Sequence, residues 1–225
     1  MSPDDTIWAV EKIAGHFRLF GGRIMKVALI GSRWFGAQVL QLLRDCGDDV
    51  TVVAPDADDR LAQAAKAAGI PCVLLNGRRR VTGADVPDGV DVVLAAHSHA
   101  FISAEARAKA KRAAIGYHPS LLPRHRGIAA VEWTIRCGDP IAGGSVYHRS
   151  DEMDAGPIAA QDWCFVYPGE DAGSLWRRAL APIGLKLLAQ VLEYVDIFGM
   201  AEAREQDEKA VTYAPALKTP QPQPA

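Results

Sequence analysis

The sequence predicts an α/β fold built on an open, mostly parallel sheet. From residue 25 onward, short apolar runs alternate with segments of helical periodicity, which is typical of parallel strands joined by right-handed helical crossovers. The first apolar run, residues 25–31, is almost free of polar side chains, as expected of a strand buried on both faces of a sheet. Such sheets bind ligands at the carboxyl ends of their strands, so functional residues are expected at that edge.

The first half of the chain contains the predicted parallel strands and their crossover helices. The predicted strands cover residues 25–30, 49–54, 71–75 and 90–96. The predicted helices cover residues 35–46, 60–68 and 103–112. Ser103 is the expected N-cap of the last of these helices.

The second half changes in character after Gly127. A helix is predicted over residues 129–137, and strands are predicted over residues 144–149 and 159–167. Residues 174–198 are long and helical in period but contain Pro182, which predicts either two helices or one kinked helix.

Three parts are expected along the chain. Residues 1–24 form a predicted amphipathic helix, residues 25–217 form the main domain, and residues 218–225 are a Pro/Gln-rich segment that we expect to be disordered. Met25 could equally be the start of the domain, so the preceding helix is interpreted as an accessory extension.

Composition excludes several classes of partner. The 25 basic and 27 acidic residues give a net charge of −2, so nothing in the overall charge favours binding to nucleic acid or to an anionic membrane. No apolar run is long enough to cross a bilayer, and the N-terminus is acidic where a signal peptide would be basic. The four cysteines form no C-x-x-C pair, which argues against structural zinc and disulfides. We therefore expect a cytoplasmic protein.

Three short motifs near the expected ligand edge allow alternative interpretations. The turn at residues 31–36 lacks the G-x-G spacing of a dinucleotide site and favours a simple strand-to-helix turn. His97 and His99 have the spacing of a metal pair, but no third ligand is apparent, so we expect them to line a pocket without a metal. The basic run at residues 78–80 indicates a solvated loop or, alternatively, a grip on an anionic substrate.

His118 and Asp154 form the strongest candidate site. Pro119 and Pro123 restrict the backbone around the histidine, Gly127 lets the chain leave the loop, and Asp154 precedes a second Gly-Pro turn. A carboxylate beside an imidazole selects its tautomer and stabilises its protonated form, which suits proton transfer during acyl transfer. The alternative is a core histidine that is hydrogen-bonded to a nearby acid.

The two stretches that contain this pair resemble a known family. Residues 117–127 read Tyr-His-Pro-Ser-Leu-Leu-Pro-Arg-His-Arg-Gly, and residues 151–157 read Asp-Glu-Met-Asp-Ala-Gly-Pro. Both resemble the catalytic stretches of the folate-dependent formyltransferases, above all the hydrolase domain of 10-formyltetrahydrofolate dehydrogenase. The resemblance extends from Met25 to about Leu217 and implies a Rossmann-like sheet of the formyltransferase type, with His118 and Asp154 as catalytic residues.

The resemblance also implies a folate site, with 10-formyltetrahydrofolate as the formyl donor. We expect the pterin to lie between residues 97–102 and 151–154, with no metal. The expected folate-binding residues are His97, Ser98, His99, Phe101, Ile102, Asp151, Glu152 and Met153.

One departure from the family leaves the reaction open. The family's transferases usually carry an asparagine two residues before the histidine, where its amide helps to hold the formyl oxygen, and this chain has Gly116. Loss of one such donor costs about 3 kcal/mol, or about a hundredfold in rate. The first hypothesis is formyl transfer to an amine of a small-molecule acceptor, and the alternative is hydrolysis of 10-formyltetrahydrofolate. A third possibility is a folate-binding module without activity. Transfer RNA is disfavoured because the chain lacks the C-terminal barrel of the family members that act on it.

Overall fold

A computed structural model describes residues 23–217 of the chain. The helix expected in residues 1–24 lies outside the described residues, apart from Arg23 and Ile24, which belong to no helix or strand. The tail expected in residues 218–225 also lies outside them.

Within the described residues, a seven-stranded sheet forms the centre of the fold. Its strands are β1 (Lys26–Gly31), β2 (Asp49–Ala54), β3 (Cys72–Leu74), β5 (Val92–Ala96), β7 (Ala113–His118), β8 (Ile141–His148) and β9 (Ile158–Phe165). The order is β3-β2-β1-β5-β7-β8-β9, parallel from β3 to β7 and antiparallel at β8 and β9. A small parallel sheet pairs β4 (Arg80–Val81) with β6 (Phe101–Ile102). The mostly parallel α/β sheet predicted from the sequence is confirmed.

Six α-helices accompany the strands in the described part of the chain. They are α1 (Arg33–Asp45), α2 (Arg60–Ala67), α3 (Ala104–Arg107), α4 (Ala130–Arg136), α5 (Ala172–Leu175) and α6 (Ala181–Phe198). A single π-helical stretch, Trp176–Leu180, joins α5 to α6. Pro182 lies in the first turn of α6, where the missing N–H group costs no hydrogen bond. The interruption predicted at this proline is therefore a change of helical geometry just before it.

The sheet is covered on both faces, which explains why its strands are so apolar. Helices α1, α2 and α6 pack on one face against Leu29, Leu94 and Ile115. The small sheet and α3 pack on the other face against Ile30 and Val93. Burying both faces places any open ligand site at the ends of the strands rather than on a face.

Three features differ from the sequence prediction. The helix predicted over residues 103–112 is limited to Ala104–Arg107, although Ser103 is its N-cap as expected. The backbone N–H groups of Lys111 and Arg112 donate instead to the carbonyls of Val90 and Asp91, each at 3.0 Å, so the approach to β7 replaces the last helical turns. Strand β7 was not predicted, because its Ala-Ala-Ile-Gly sequence has neither strong alternation nor high strand propensity. Strands β4 and β6 have two residues each, too few for a periodic pattern.

The basic run at residues 78–80 has a structural explanation. The guanidinium of Arg78 donates to both carboxylate oxygens of Asp85 at 2.9 and 2.7 Å. This hydrogen bonding lowers the pKa of Asp85 to about 2. Arg80 lies over the ring of Phe101, 5.0 Å from its centroid. Two of the three arginines therefore contact residues of the fold itself.

A close contact between α6 and β7 generates a test of this packing. A Cβ atom on Gly184 would lie 2.6 Å from the ring of Tyr117 and 2.9 Å from that of Phe35. Tyr117 is buried, and its hydroxyl donates to the carbonyl of Leu180 at 2.6 Å, so the ring has little freedom to move. We expect Gly184→Ala to lower the free energy of unfolding by about 1–3 kcal/mol through overpacking, although alanine is the better helix former by about 1 kcal/mol. Urea denaturation measures the change.

The control for this substitution is Gly173→Ala in α5. A Cβ atom there would first meet the ends of the Arg177 and Asp171 side chains, at 3.2 and 3.3 Å. We expect stability to be unchanged or raised. Equal stability of Gly184→Ala and wild type would contradict the packing argument.

Candidate functional site

His118 is the last residue of β7, at the carboxyl edge of the sheet. Its side chain is 8% exposed, and Nε2 lies 2.8 Å from the carbonyl oxygen of His125. Because a carbonyl oxygen can only accept, Nε2 carries a proton and the ring orientation is fixed. The nitrogen that can gain or lose a proton is therefore Nδ1, which lies 3.5 Å from Oδ2 of Asp154.

Asp154 is held by donors from two other segments. Its Oδ2 accepts from the backbone N–H of Gly127 at 2.9 Å, and its Oδ1 accepts from the hydroxyl of Tyr147 at 2.6 Å. Nη1 of Arg149 lies 3.6 Å from Oδ1. The backbone of Asp154 has a φ of +53°, a left-handed conformation that aspartate tolerates better than most residues. The carboxylate is thus oriented on every side before any ligand arrives.

The pair is arranged for proton transfer. With Nε2 hydrogen-bonded to the His125 carbonyl, Nδ1 is the ring atom that faces the Asp154 carboxylate, across 3.5 Å. A nucleophile bound beside Nδ1 can lose a proton to this pair, and a leaving group can recover it. The structure therefore brings together the two residues that the sequence predicted as catalytic.

The C-terminal segment, residues 204–215, forms backbone hydrogen bonds with the loop that follows His118. The backbones of Arg126 and Ala214 form a hydrogen bond of 2.8 Å, and the N–H of Ala129 donates to the carbonyl of Ala214 at 3.1 Å. Gly127 has a φ of +129°, and a Cβ atom on it would lie 2.6 Å from the Ala214 carbonyl oxygen. Only glycine allows this crossing, which places the Gly127 N–H group against Asp154.

Gln206 connects this segment to the Asp154 turn. It is 8% exposed, and its Nε2 donates to the carbonyls of Asp154 and Gly156 at 2.8 and 2.7 Å. Its Oε1 accepts from Nε and Nη2 of Arg126 at 3.0 and 2.7 Å. One buried amide therefore bridges the loop that follows His118 and the turn that carries Asp154.

The expected folate-binding residues at the end of β5 form a compact group. The rings of His97 and His99 are 4.9 Å apart, and Ser98 forms hydrogen bonds only with Ala100 in the described residues. Nδ1 of His97 is buried and has no hydrogen-bond partner within residues 23–217. Burial, followed by the nearby His99 and Arg33, lowers the pKa of His97 to about 4. His97 is therefore neutral at physiological pH and has a free polar atom.

The remaining expected residues differ in their surroundings. Ile102 is 1% exposed and packs in the core, so its side chain lines no open surface, whereas Phe101 is 38% exposed. Asp151 pairs with Arg107 at 2.6 Å, and Arg107 also donates to the carbonyl of Ile102 at 2.6 Å. This arginine joins the two segments expected to enclose the pterin. Glu152 and Met153 are exposed.

The cavities of the described residues lie away from this edge. Two cavities border α6, one including Tyr194 and Glu202 and the other including Met25 and Leu42, and neither is lined by His118 or Asp154. No group of three or more His, Cys, Asp or Glu residues within 23–217 could hold a metal ion. In the same span, no helix combines the length and apolar character needed to cross a membrane.

Sequence reasoning missed Tyr147, Arg149 and Gln206. The first two follow from pairing, since β8 runs antiparallel to β7 and Tyr147 lies opposite Gly116. The alternation of residues 144–149 could have placed Tyr147 and Arg149 on one face. It did not show that this face is shared with His118. Gln206 lies in an irregular segment that has no pattern to interpret.

Comparisons with known proteins identify a family for this chain. Residues 25–192 match the family described as formyl transferase. The chain is 34% identical to mouse mitochondrial 10-formyltetrahydrofolate dehydrogenase, covering 92% of this chain and 24% of that protein. It is 35% identical to the human cytosolic 10-formyltetrahydrofolate dehydrogenase, covering 84% of this chain and 22% of that protein. The chain thus spans about a quarter of the length of these relatives.

Solved structures share the fold. Glycinamide ribonucleotide transformylase 1 from Symbiobacterium toebii is 23% identical with a TM-score of 0.61, covering 76% of this chain and 91% of that one. An N-formyltransferase from Helicobacter canadensis, in complex with folinic acid and dTDP-3-aminofucose, is 16% identical with a TM-score of 0.69, covering 85% and 71%. These likenesses establish the architecture.

The Gln206 bridge generates a stability prediction. We expect Gln206→Met, which keeps the volume of the side chain, to lower the free energy of unfolding by about 1–3 kcal/mol, because buried carbonyls and the Arg126 guanidinium lose their partner. Chemical denaturation measures the loss. The control is Gln63→Met on the exposed surface of α2, which we expect to change stability by less than about 0.5 kcal/mol. Similar effects of both substitutions would contradict the bridging role.

The lowered pKa of His97 predicts a pH dependence of stability. Below about pH 6.5 the unfolded chain binds a proton at His97 that the folded chain accepts only near pH 4, so stability falls as the pH decreases through that window. His97→Asn removes this group and tolerates the left-handed backbone, with a φ of +57°. We expect the variant to lose less stability than wild type between pH 7 and pH 4.5, as measured by urea denaturation. Identical losses in both proteins would count against a buried neutral His97.

Proposed function

Because this chain belongs to the formyl transferase family, which its residues 25–192 match, we propose that it transfers the formyl group of 10-formyltetrahydrofolate to an amine of a small-molecule acceptor. The observation that carries the proposal is the 3.5 Å contact between Nδ1 of His118 and the Asp154 carboxylate, held in a fixed orientation at the carboxyl edge of the sheet. The relatives that are 34–35% identical are named as 10-formyltetrahydrofolate dehydrogenases, which supports 10-formyltetrahydrofolate as the formyl donor. The acceptor we propose is not a nucleic acid.

In the proposed reaction, the His118–Asp154 pair first accepts a proton and later returns it. The acceptor nitrogen attacks the formyl carbon, and the carbonyl oxygen takes up negative charge. The new carbon–nitrogen bond forms as the acceptor loses a proton to the His118–Asp154 pair. The bond from the formyl carbon to the folate nitrogen then breaks, and that nitrogen takes the proton back. Since Nε2 of His118 donates a hydrogen bond to the His125 carbonyl, the proton is transferred through Nδ1.

We further propose that the pterin lies between residues 97–102 and 151–154. Arg107 supports this proposal because it connects both segments through the Ile102 carbonyl and Asp151. The unpartnered Nδ1 of His97 offers a hydrogen bond to a heterocycle. The buried Ile102 is restricted to a supporting role behind this site. The groups available to contact the ligand are His97, Ser98, His99 and Phe101 from the first segment and Asp151, Glu152 and Met153 from the second.

Hydrolysis is the second candidate, in which water replaces the amine. The similarity to the dehydrogenases favours it, as does Gly116, which places no amide beside His118. The same pair would deprotonate the water, and formate would leave in place of a formylated amine. The two candidates therefore share a site and differ in the nucleophile.

The test follows tetrahydrofolate release from 10-formyltetrahydrofolate, with a panel of small amines and with water alone. We expect turnover that requires an amine, whereas amine-independent release of formate would identify a hydrolase. We expect His118→Asn and Asp154→Asn each to lower kcat by about a hundredfold or more, because each removes a proton-transfer group.

Matched controls are His148→Asn and Asp162→Asn. His148 hydrogen-bonds the Glu202 carbonyl, and Asp162 pairs with Lys186, so both are anchored outside the pair. We expect both variants to keep wild-type kcat. Folate binding without turnover by any nucleophile would refute both enzymatic candidates.

A further inference from the structure

Arg149 lies across the position that Gly116 leaves open. Its backbone N–H donates to the carbonyl of Ala114 at 2.8 Å, which sets it beside β7. A Cβ atom on Gly116 would lie 3.1 Å from Cδ of Arg149 and 3.1 Å from Cβ of Ala95. The stem of the arginine therefore fills the space that a side chain at residue 116 would need.

The guanidinium of Arg149 ends beside the catalytic carboxylate. Nη1 lies 3.6 Å from Oδ1 of Asp154 and donates to the hydroxyl of Tyr147. The side chain is 19% exposed. Burial lowers the pKa of Arg149 from its usual value, yet a guanidinium remains charged at neutral pH. A permanent cation thus lies beside the Asp154 carboxylate.

Arg149 also has an unused donor. Its Nε is buried and has no hydrogen-bond partner within the described residues. A desolvated donor without a partner costs free energy, and an acceptor that binds to Nε of Arg149 would remove that cost. The acceptor that suits it best is an oxygen with negative charge.

We propose that Arg149 is a catalytic residue that binds the formyl oxygen as the negative charge develops, from the position that a side chain at residue 116 would otherwise occupy. The proposal rests on the proposed function and deepens it. Gly116 is then a requirement of the site, because any larger residue would compete with the arginine for the same space. A fixed cation in a partly buried site stabilises such an oxyanion without reorganisation.

The competing explanation is that Arg149 merely neutralises Asp154. In that case its removal would move the pH at which activity reaches half its maximum and would leave the plateau rate intact. A group that binds the oxyanion affects the plateau itself, because the charge on the formyl oxygen develops at every pH. Its loss also lowers kcat while leaving KM for the folate nearly unchanged.

The experiment measures kcat, KM, the pH profile and Tm for Arg149→Ala and Arg149→Lys. We expect Arg149→Ala to lower the plateau kcat by about a hundredfold or more, and Arg149→Lys to lose less because it keeps the charge without the planar fork. The matched control is Arg112→Ala, an arginine with 14% exposure that pairs with Asp91 at 3.4 Å, far from the pair. We expect it to lower Tm without changing kcat.

Two rescues separate a catalytic role from a structural one. Millimolar guanidinium should restore part of the kcat of Arg149→Ala and none of that of His118→Asn. The double variant Gly116→Asn with Arg149→Ala should regain part of the lost activity, because it returns a donor to the same space from the neighbouring strand. If the double variant does not fold, the guanidinium rescue still decides.

The outcomes distinguish the two levels of the proposal. An active wild type with an unchanged plateau in Arg149→Ala would overturn the role of Arg149 and leave the proposed function in place. A lowered plateau that neither rescue improves would also overturn it. A wild type that releases no tetrahydrofolate with any nucleophile would overturn both.

Discussion

The site depends on how the carboxylate of Asp154 is held. Gly127, Tyr147 and His118 come from three separate segments, and all of them meet this one side chain. Without the Gly127 N–H and the Tyr147 hydroxyl, the carboxylate could rotate away from Nδ1. The loop after β7, the end of β8 and the turn after it are therefore positioned relative to one another by a group that also takes part in the proposed chemistry. The hydrogen bonds that orient the Asp154 carboxylate for the proposed chemistry are therefore the same ones that hold these segments together.

The C-terminal segment extends this requirement to a part of the chain with little regular structure. Its backbone pairs with the loop at Arg126, and Gln206 reaches beneath the Asp154 turn. A loop rich in proline cannot satisfy its hydrogen bonds with helix or sheet partners alone, so another segment must supply them. The segment thus supports the site from outside, because it hydrogen-bonds both the loop after His118 and the Asp154 turn but contributes no atom to the His118–Asp154 pair.

The sequence allowed the fold class and the two central residues to be predicted for a clear reason. Buried parallel strands leave continuous apolar runs, and His118 and Asp154 each lie next to residues rich in proline and glycine. Strand β7 was missed because Ala113 and Ala114 carry little strand propensity, and it forms because β5 and β8 supply partners on both sides. Arg149 and Gln206 were missed because their roles arise from contacts across strands and loops, which no local pattern records.

The close approach of Arg149 to Gly116 has a consequence for how this site can change over time. A Cβ atom at residue 116 would crowd Arg149 and Ala95 at 3.1 Å, whereas loss of the Arg149 side chain leaves space beside the Asp154 carboxylate. Either single replacement therefore disturbs the space that the two residues share. Under the proposed role of Arg149 the two positions are epistatic, because the effect of a substitution at residue 116 depends on which side chain stands at residue 149.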